Sequence, residues 1–141
     1  WLLAFRPHQG LQALVSDLNR LYRETPALYA RDCESQGFRW IVVDDDMQSV
    51  LAFLRMGEDG DPPVAVVCNF TPEVRRNYRI GLPYSGRWRE ALNTDAARYG
   101  GSNVSNMAAI DAETRPLHGL PASAALILPP LATLFLVYAA T

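Results

Sequence analysis

Cysteine is scarce in this sequence. Cys33 and Cys68 stand far apart and form no CxxC pair. That spacing excludes a structural zinc site of the usual four-ligand kind. A disulfide would need an oxidising compartment, and no leader-like run is visible to supply one. Cys68 lies within Val66–Val67–Cys68–Asn69–Phe70 and reads as a buried, reduced thiol. Excess charge is also missing: the formal net charge is −2 and no basic run occurs. A nucleic acid or an anionic membrane therefore has no electrostatic reason to bind. The one long apolar stretch, 120–140, is interrupted by Pro121, Pro129 and Pro130. Those prolines break the roughly 20-residue helix that a membrane span requires. The stretch reads instead as two strands with a proline corner between them.

Signatures for cofactors and metals are missing too. Gly100–Gly101 has neither the spacing nor the strand-to-helix setting of a phosphate-binding loop. Asp44–Asp45–Asp46 lacks the ligand spacing of a calcium loop and reads as a solvated turn. His8 and His118 share no pattern that joins them into a catalytic or zinc set. No metal and no cofactor is expected.

What is present suits one globular domain: 141 residues, 49% hydrophobic and 20% charged. The chain begins at Trp1 rather than Met, as a fragment would. Leu11, Leu14, Val15, Leu18, Leu21 and Tyr22 recur at spacings of three and four. They predict one apolar face on a helix of roughly four turns, with Pro7 in its first turn. Gln12, Asp17, Asn19, Arg20 and Arg23 fall on the opposite face. Thr25–Pro26 predicts an N-cap and the start of a short second helix through Tyr29.

From Phe38 the period changes to two. Strands are predicted over 38–43, 50–56, 64–70, 77–82, 87–93, 108–115, 122–128 and 133–139. Residues 64–68 are apolar on both faces and predict a central strand. Turn residues separate the strands and no helices intervene, which predicts an antiparallel β-sandwich. The expected fold class is mainly β: a helical segment over 1–36, then an all-β domain over 37–141. A lone amphipathic helix needs an apolar surface to cover it. That surface need not be the sandwich; it could belong to a preceding domain.

Several short motifs follow one another along the chain. They are Asn69–Phe70–Thr71–Pro72, Gly86–Arg87–Trp88–Arg89–Glu90, Leu92–Asn93–Thr94–Asp95, Tyr99–Gly100–Gly101–Ser102–Asn103 and Leu128–Pro129–Pro130–Leu131–Ala132–Thr133. Ahead of them stand His8–Gln9–Gly10–Leu11–Gln12, Asp17–Leu18–Asn19–Arg20–Leu21–Tyr22 and Ser49–Val50–Leu51–Ala52–Phe53–Leu54–Arg55. In order and spacing this set resembles the C-terminal region of glycogen (1,4-α-glucan) branching enzymes, of the α-amylase superfamily. Arg31–Asp32–Cys33–Glu34–Ser35 departs from the pattern usual there.

The resemblance implies that 1–36 is the last helical part of a catalytic barrel and 37–141 its C-terminal sandwich. It implies a cytoplasmic enzyme that cuts α-1,4 linkages and rejoins the released chain as an α-1,6 branch, by chemistry like that of a retaining glycosidase. The family's catalytic carboxylates lie on earlier barrel strands, so no catalytic residue is carried over here. The implied partners are α-glucan and the upstream barrel.

Sugars bind by stacking on aromatic rings beside polar groups. Tyr99, in a polar glycine-containing loop with Asn103, is the leading glucan-contact candidate, and Trp88 is a further one. For Trp88 and Trp40 the competing expectation is a place in the sandwich core or at the seam to the barrel. Two rival readings stand beside this one: a free-standing glucan-binding or interaction module, and the tail of another α-amylase superfamily enzyme.

Overall fold

The computed structural model describes residues 1–140, the Leu3 side chain excepted. One long helix, α1 (Arg6–Glu24), precedes eight strands. Pro7 sits in the first turn of α1, where a missing N–H costs nothing. A short 3-10 turn, Pro26–Leu28, follows it. Thr25 flanks that turn but makes no side-chain cap bond, so the predicted N-cap is positional only.

The strands are β1 (Phe38–Asp45), β2 (Val50–Arg55), β3 (Val64–Asn69), β4 (Arg75–Leu82), β5 (Gly86–Asn93), β6 (Ala109–Ala112), β7 (Ala122–Leu128) and β8 (Ala132–Tyr138). They form a six-stranded sheet in the order β1-β2-β3-β8-β5-β6 and a two-stranded sheet of β4 and β7. Every pairing is antiparallel. The fold is therefore the mainly β architecture expected, with a single α-helix in front among the described residues.

β3 lies inside the large sheet between β2 and β8, as its two apolar faces require. Ala65 and Val67 face the inter-sheet core, where they meet Leu54, Ile80, Leu126 and Leu134. Val64 and Val66 face outward, toward Ala27 and Leu28. Cys68 is a free thiol on that outer side and only half-buried, which corrects the expectation of burial. β6 is shorter than predicted. Ala108 has φ of +74°, outside the extended region, so the strand starts one residue later. Past Ala112 only a single bridge, Glu113 to Ser123, continues the pairing.

Two motifs sixty residues apart close one end of the sandwich. The Asn69 side chain donates to the carbonyls of Glu73 (2.8 Å) and Pro129 (2.9 Å). Its Oδ1 accepts from the N–H and hydroxyl of Thr71. The Leu131 N–H then returns to the Thr71 carbonyl at 2.8 Å. The buried amide thus ties the β3 exit to the Pro129–Pro130 corner between β7 and β8. A buried amide is stable only when its polar atoms are so paired.

Candidate functional site: the 94–107 loop against the helix

The segment after β5 is a loop held by its own side chains. Asn93 accepts from the Asp95 N–H (2.9 Å) and donates to the Val104 carbonyl (2.7 Å). The buried Asp95 carboxylate accepts from the Ser102 N–H, the Ser102 hydroxyl and the Val104 N–H, at 2.7–2.9 Å. Asn106 bridges Glu90 on β5 to the Ile127 backbone on β7. Thr94 pairs with Thr133 through backbone and hydroxyl. Gly101 packs so closely on Asp95 that a Cβ there would lie 2.2 Å from the Asp95 carbonyl oxygen. Only glycine fits that approach.

This scaffold presents a 3-10 turn, Ala97–Tyr99, to α1. The Tyr99 hydroxyl donates to Asp17 Oδ2 at 2.5 Å. Arg98 pairs with the same carboxylate at 3.0 Å, and Arg20 closes on its other oxygen. Asp17 is only 7% exposed. The Tyr99 hydroxyl bond is the largest influence on Asp17 and, with Arg98 and Arg20, holds its carboxyl below the ordinary 3.8 against the cost of burial. Burial first, then the bond to Asp17, pushes the Tyr99 phenol up to about 12. Beside this cluster lies a cavity of about 350 Å³, walled by Asp17, Arg20, Glu24, Arg89, Arg98 and Tyr99.

The sequence-predicted residues are distributed unevenly around this joint. Tyr99 is half-buried at its centre. Asn103 is exposed in the same loop, and its Oδ1 accepts from the Ala97 N–H at 3.1 Å, which holds the 3-10 turn. Trp88 is elsewhere: it is fully buried in the sandwich, and its Nε1 donates to the Tyr84 carbonyl at 3.1 Å. Trp40 lies on the outer face of the large sheet, 48% exposed, with its ring against Phe38 and Phe53. Asp45, from the acidic turn, accepts from Gln48 and from the Tyr78 hydroxyl.

Asp17 was missed. Helical periodicity assigns it to a polar, outward face with Gln12, Asn19, Arg20 and Arg23; those four are exposed, and Asp17 alone of the set is buried, in line with Gly10 and Leu21. A signal was available. Gly10, Ala13, Asp17 and Leu21 follow one another at three, four and four, a stripe that opens with two small residues and carries one acid. A Cβ on Gly10 would lie 2.5 Å from the Tyr99 carbonyl oxygen, so this stripe is where the backbones approach. Chemically the cluster is a joint. Asp17 is held ionised by three partners, and the two Glu90 oxygens accept from Asn93 and Asn106, so both carboxylates tie elements together.

Comparison with known proteins bears on what the joint belongs to. The profile of the α-amylase C-terminal all-β domain matches residues 40–139. A 1,4-alpha-glucan branching enzyme of Pseudomonas putida is 53% identical over 136 residues, 96% of this chain and 18% of that protein. Similar enzymes of Burkholderia vietnamiensis and Cereibacter sphaeroides are 56% and 54% identical, again over 96% of this chain. The chain thus spans less than a fifth of the length of these relatives.

Proposed function

We infer that this chain, which belongs to the family of α-amylase C-terminal all-β domains, is the C-terminal part of a 1,4-α-glucan branching enzyme. In this reading residues 1–36 end the catalytic barrel and residues 37–141 form the sandwich that covers its edge. The chain carries none of the reacting carboxylates. It works in the cytoplasm as part of a larger enzyme whose substrate is α-glucan.

One observation carries the reading. The apolar stripe of α1 is only partly covered by the sandwich: Leu21 is buried, but Leu11, Val15 and Tyr22 are 58%, 49% and 48% exposed. A stripe of that kind is stable when another apolar surface covers it. It continues into a cavity of about 380 Å³ bounded by Leu18, Tyr22, Leu28, Phe53, Val66 and Phe135. Beyond that lie Phe38 and Trp40, on the same outer side of the sheet. The upstream barrel would close over this whole surface.

The test is enzymatic. The chain alone should form no α-1,6 branches in amylose, and the same chain joined to its upstream region should form them. Branching by the isolated chain would sink the reading. A second reading, a free-standing glucan-binding module, is favoured by the polar cavity beside Tyr99. There Tyr99 and Asn103 would touch sugar as well as hold the loop. Unchanged glucan affinity in a folded Tyr99→Ala variant would remove that contact.

A further inference from the structure

The opposite end of β5 carries a second aromatic feature. In the turn between β4 and β5, Tyr84 is 47% exposed. Its ring rests on that of Tyr138, with centroids 5.1 Å apart, and Tyr138 rests in turn on the buried Trp88 at 5.3 Å. The Trp88 indole N–H also holds the Tyr84 carbonyl. Gly86, with φ of +104°, makes the turn that allows this. The outermost ring is therefore held from below by tilted aromatic contact and from behind by its own backbone. A preordered platform loses little freedom when a ligand lands on it.

The ring borders a recess of about 250 Å³, walled by Pro83, Tyr84, Ser85, Thr114, Pro121 and Tyr138. Among the described residues no charged side chain lines it. The hydroxyls of Tyr84, Ser85 and Thr114 make no hydrogen bond to another described residue, so they are open to an incoming ligand. A rigid aromatic face, proline walls and several hydroxyls with no charge suit an uncharged polyhydroxy ring. The volume lies below the ~300–1,000 Å³ of sites that enclose a drug-sized ligand. It accommodates one sugar ring of a longer chain that passes over the surface.

We propose that this recess is an α-glucan subsite, with the Tyr84 ring as its stacking platform and Ser85 and Thr114 as its hydrogen-bonding wall. It lies about 25 Å along β5 from the Tyr99 loop, taking 3.4 Å per residue. It is also off the outer sheet face assigned to the barrel, since Tyr138 packs on the inter-sheet core. The choice of α-glucan as ligand rests on the branching-enzyme reading; the geometry of the recess does not.

Titration of the 141-residue chain with maltoheptaose, followed by calorimetry, tests the site. Tyr84→Ala should weaken binding about tenfold, on the order of one aromatic stacking contact. Tyr84→Phe keeps the ring and should stay within about threefold of the unaltered chain. Equal affinity in Tyr84→Ala and the unaltered chain overturns the proposal. So does a loss confined to Tyr99→Ala, which would place the glucan in the cavity beside α1. Either of these failures leaves the branching assay of the longer enzyme unaffected, and so is distinguishable from failure of the functional reading itself.

Discussion

A carboxylate taken out of water costs several kcal/mol unless partners replace the lost solvent. Asp17 is in that position, and its partners are Tyr99, Arg98 and Arg20. Both arginines are more than half exposed, so their pairing is screened by solvent and contributes little. The Tyr99 hydroxyl is the partner that counts. Tyr99→Phe should lower stability at pH 7 by about 1.5 kcal/mol, the low end for a charge-assisted bond because water reaches the cavity. The folded Asp17 carboxyl is more acidic than the unfolded one. Its contribution is therefore whole above the ordinary 3.8 and is lost as pH falls through the lower folded value. Tyr99 runs the other way: its contribution is whole below the ordinary 10.0 and is lost as pH rises through about 12. Urea midpoints should separate the two proteins most between those limits and draw them together as pH falls from 3.8 through the lower folded value. A gap that stays constant throughout the acid limb would remove Asp17 from the account.

At the scale of elements, α1 and the 94–107 loop are fitted backbone to backbone at Gly10. Two effects oppose each other in Gly10→Ala. Helix propensity favours alanine by about 1 kcal/mol. The new Cβ would meet the Tyr99 carbonyl at 2.5 Å, and backbone held by the Asp95 network cannot move aside cheaply. Overpacking of that sort costs roughly 1–3 kcal/mol. The variant should be destabilised, seen as a lower urea midpoint, and a rise would mean that α1 slides freely on the loop.

The elements themselves were largely legible in the sequence. All eight strands were visible as alternating or apolar runs, with ends within a few residues. The apolar run Val64–Cys68 marked an interior strand. The seat of α1 was not legible, because hydrophobic periodicity finds an apolar face without saying what covers it. Here the buried face holds Gly10 and Asp17, and its partners lie some eighty residues on, at Arg98 and Tyr99. The cohesion of the motifs was hidden for a similar reason. Asn69 with Pro129, and Thr94 with Thr133, are contacts made only by the fold.

For the whole molecule the decisive quantity is exposed apolar surface. A monomeric domain rarely leaves a contiguous patch above a few hundred Å² uncovered. This chain exposes Leu11, Val15 and Tyr22 on α1, and Trp40, Val43 and Phe70 on the β side, each between 48% and 59%. The proposed barrel contact makes an asymmetric prediction about this surface. Leu11→Gln with Val15→Gln keeps good helix formers on α1 and removes half-exposed side chains only. In the isolated chain the pair should move the urea midpoint by no more than about 0.5 kcal/mol of stability and reduce light scattering on concentration. On the proposed barrel contact the same two side chains would be buried in the longer enzyme, where each buried leucine or valine contributes about 1.5–3 kcal/mol. There the pair should lower the melting temperature by several degrees and reduce branching activity with it. A longer enzyme indifferent to both substitutions would show that α1 faces water in the assembled protein, and the sandwich would then be joined to the barrel by some other surface.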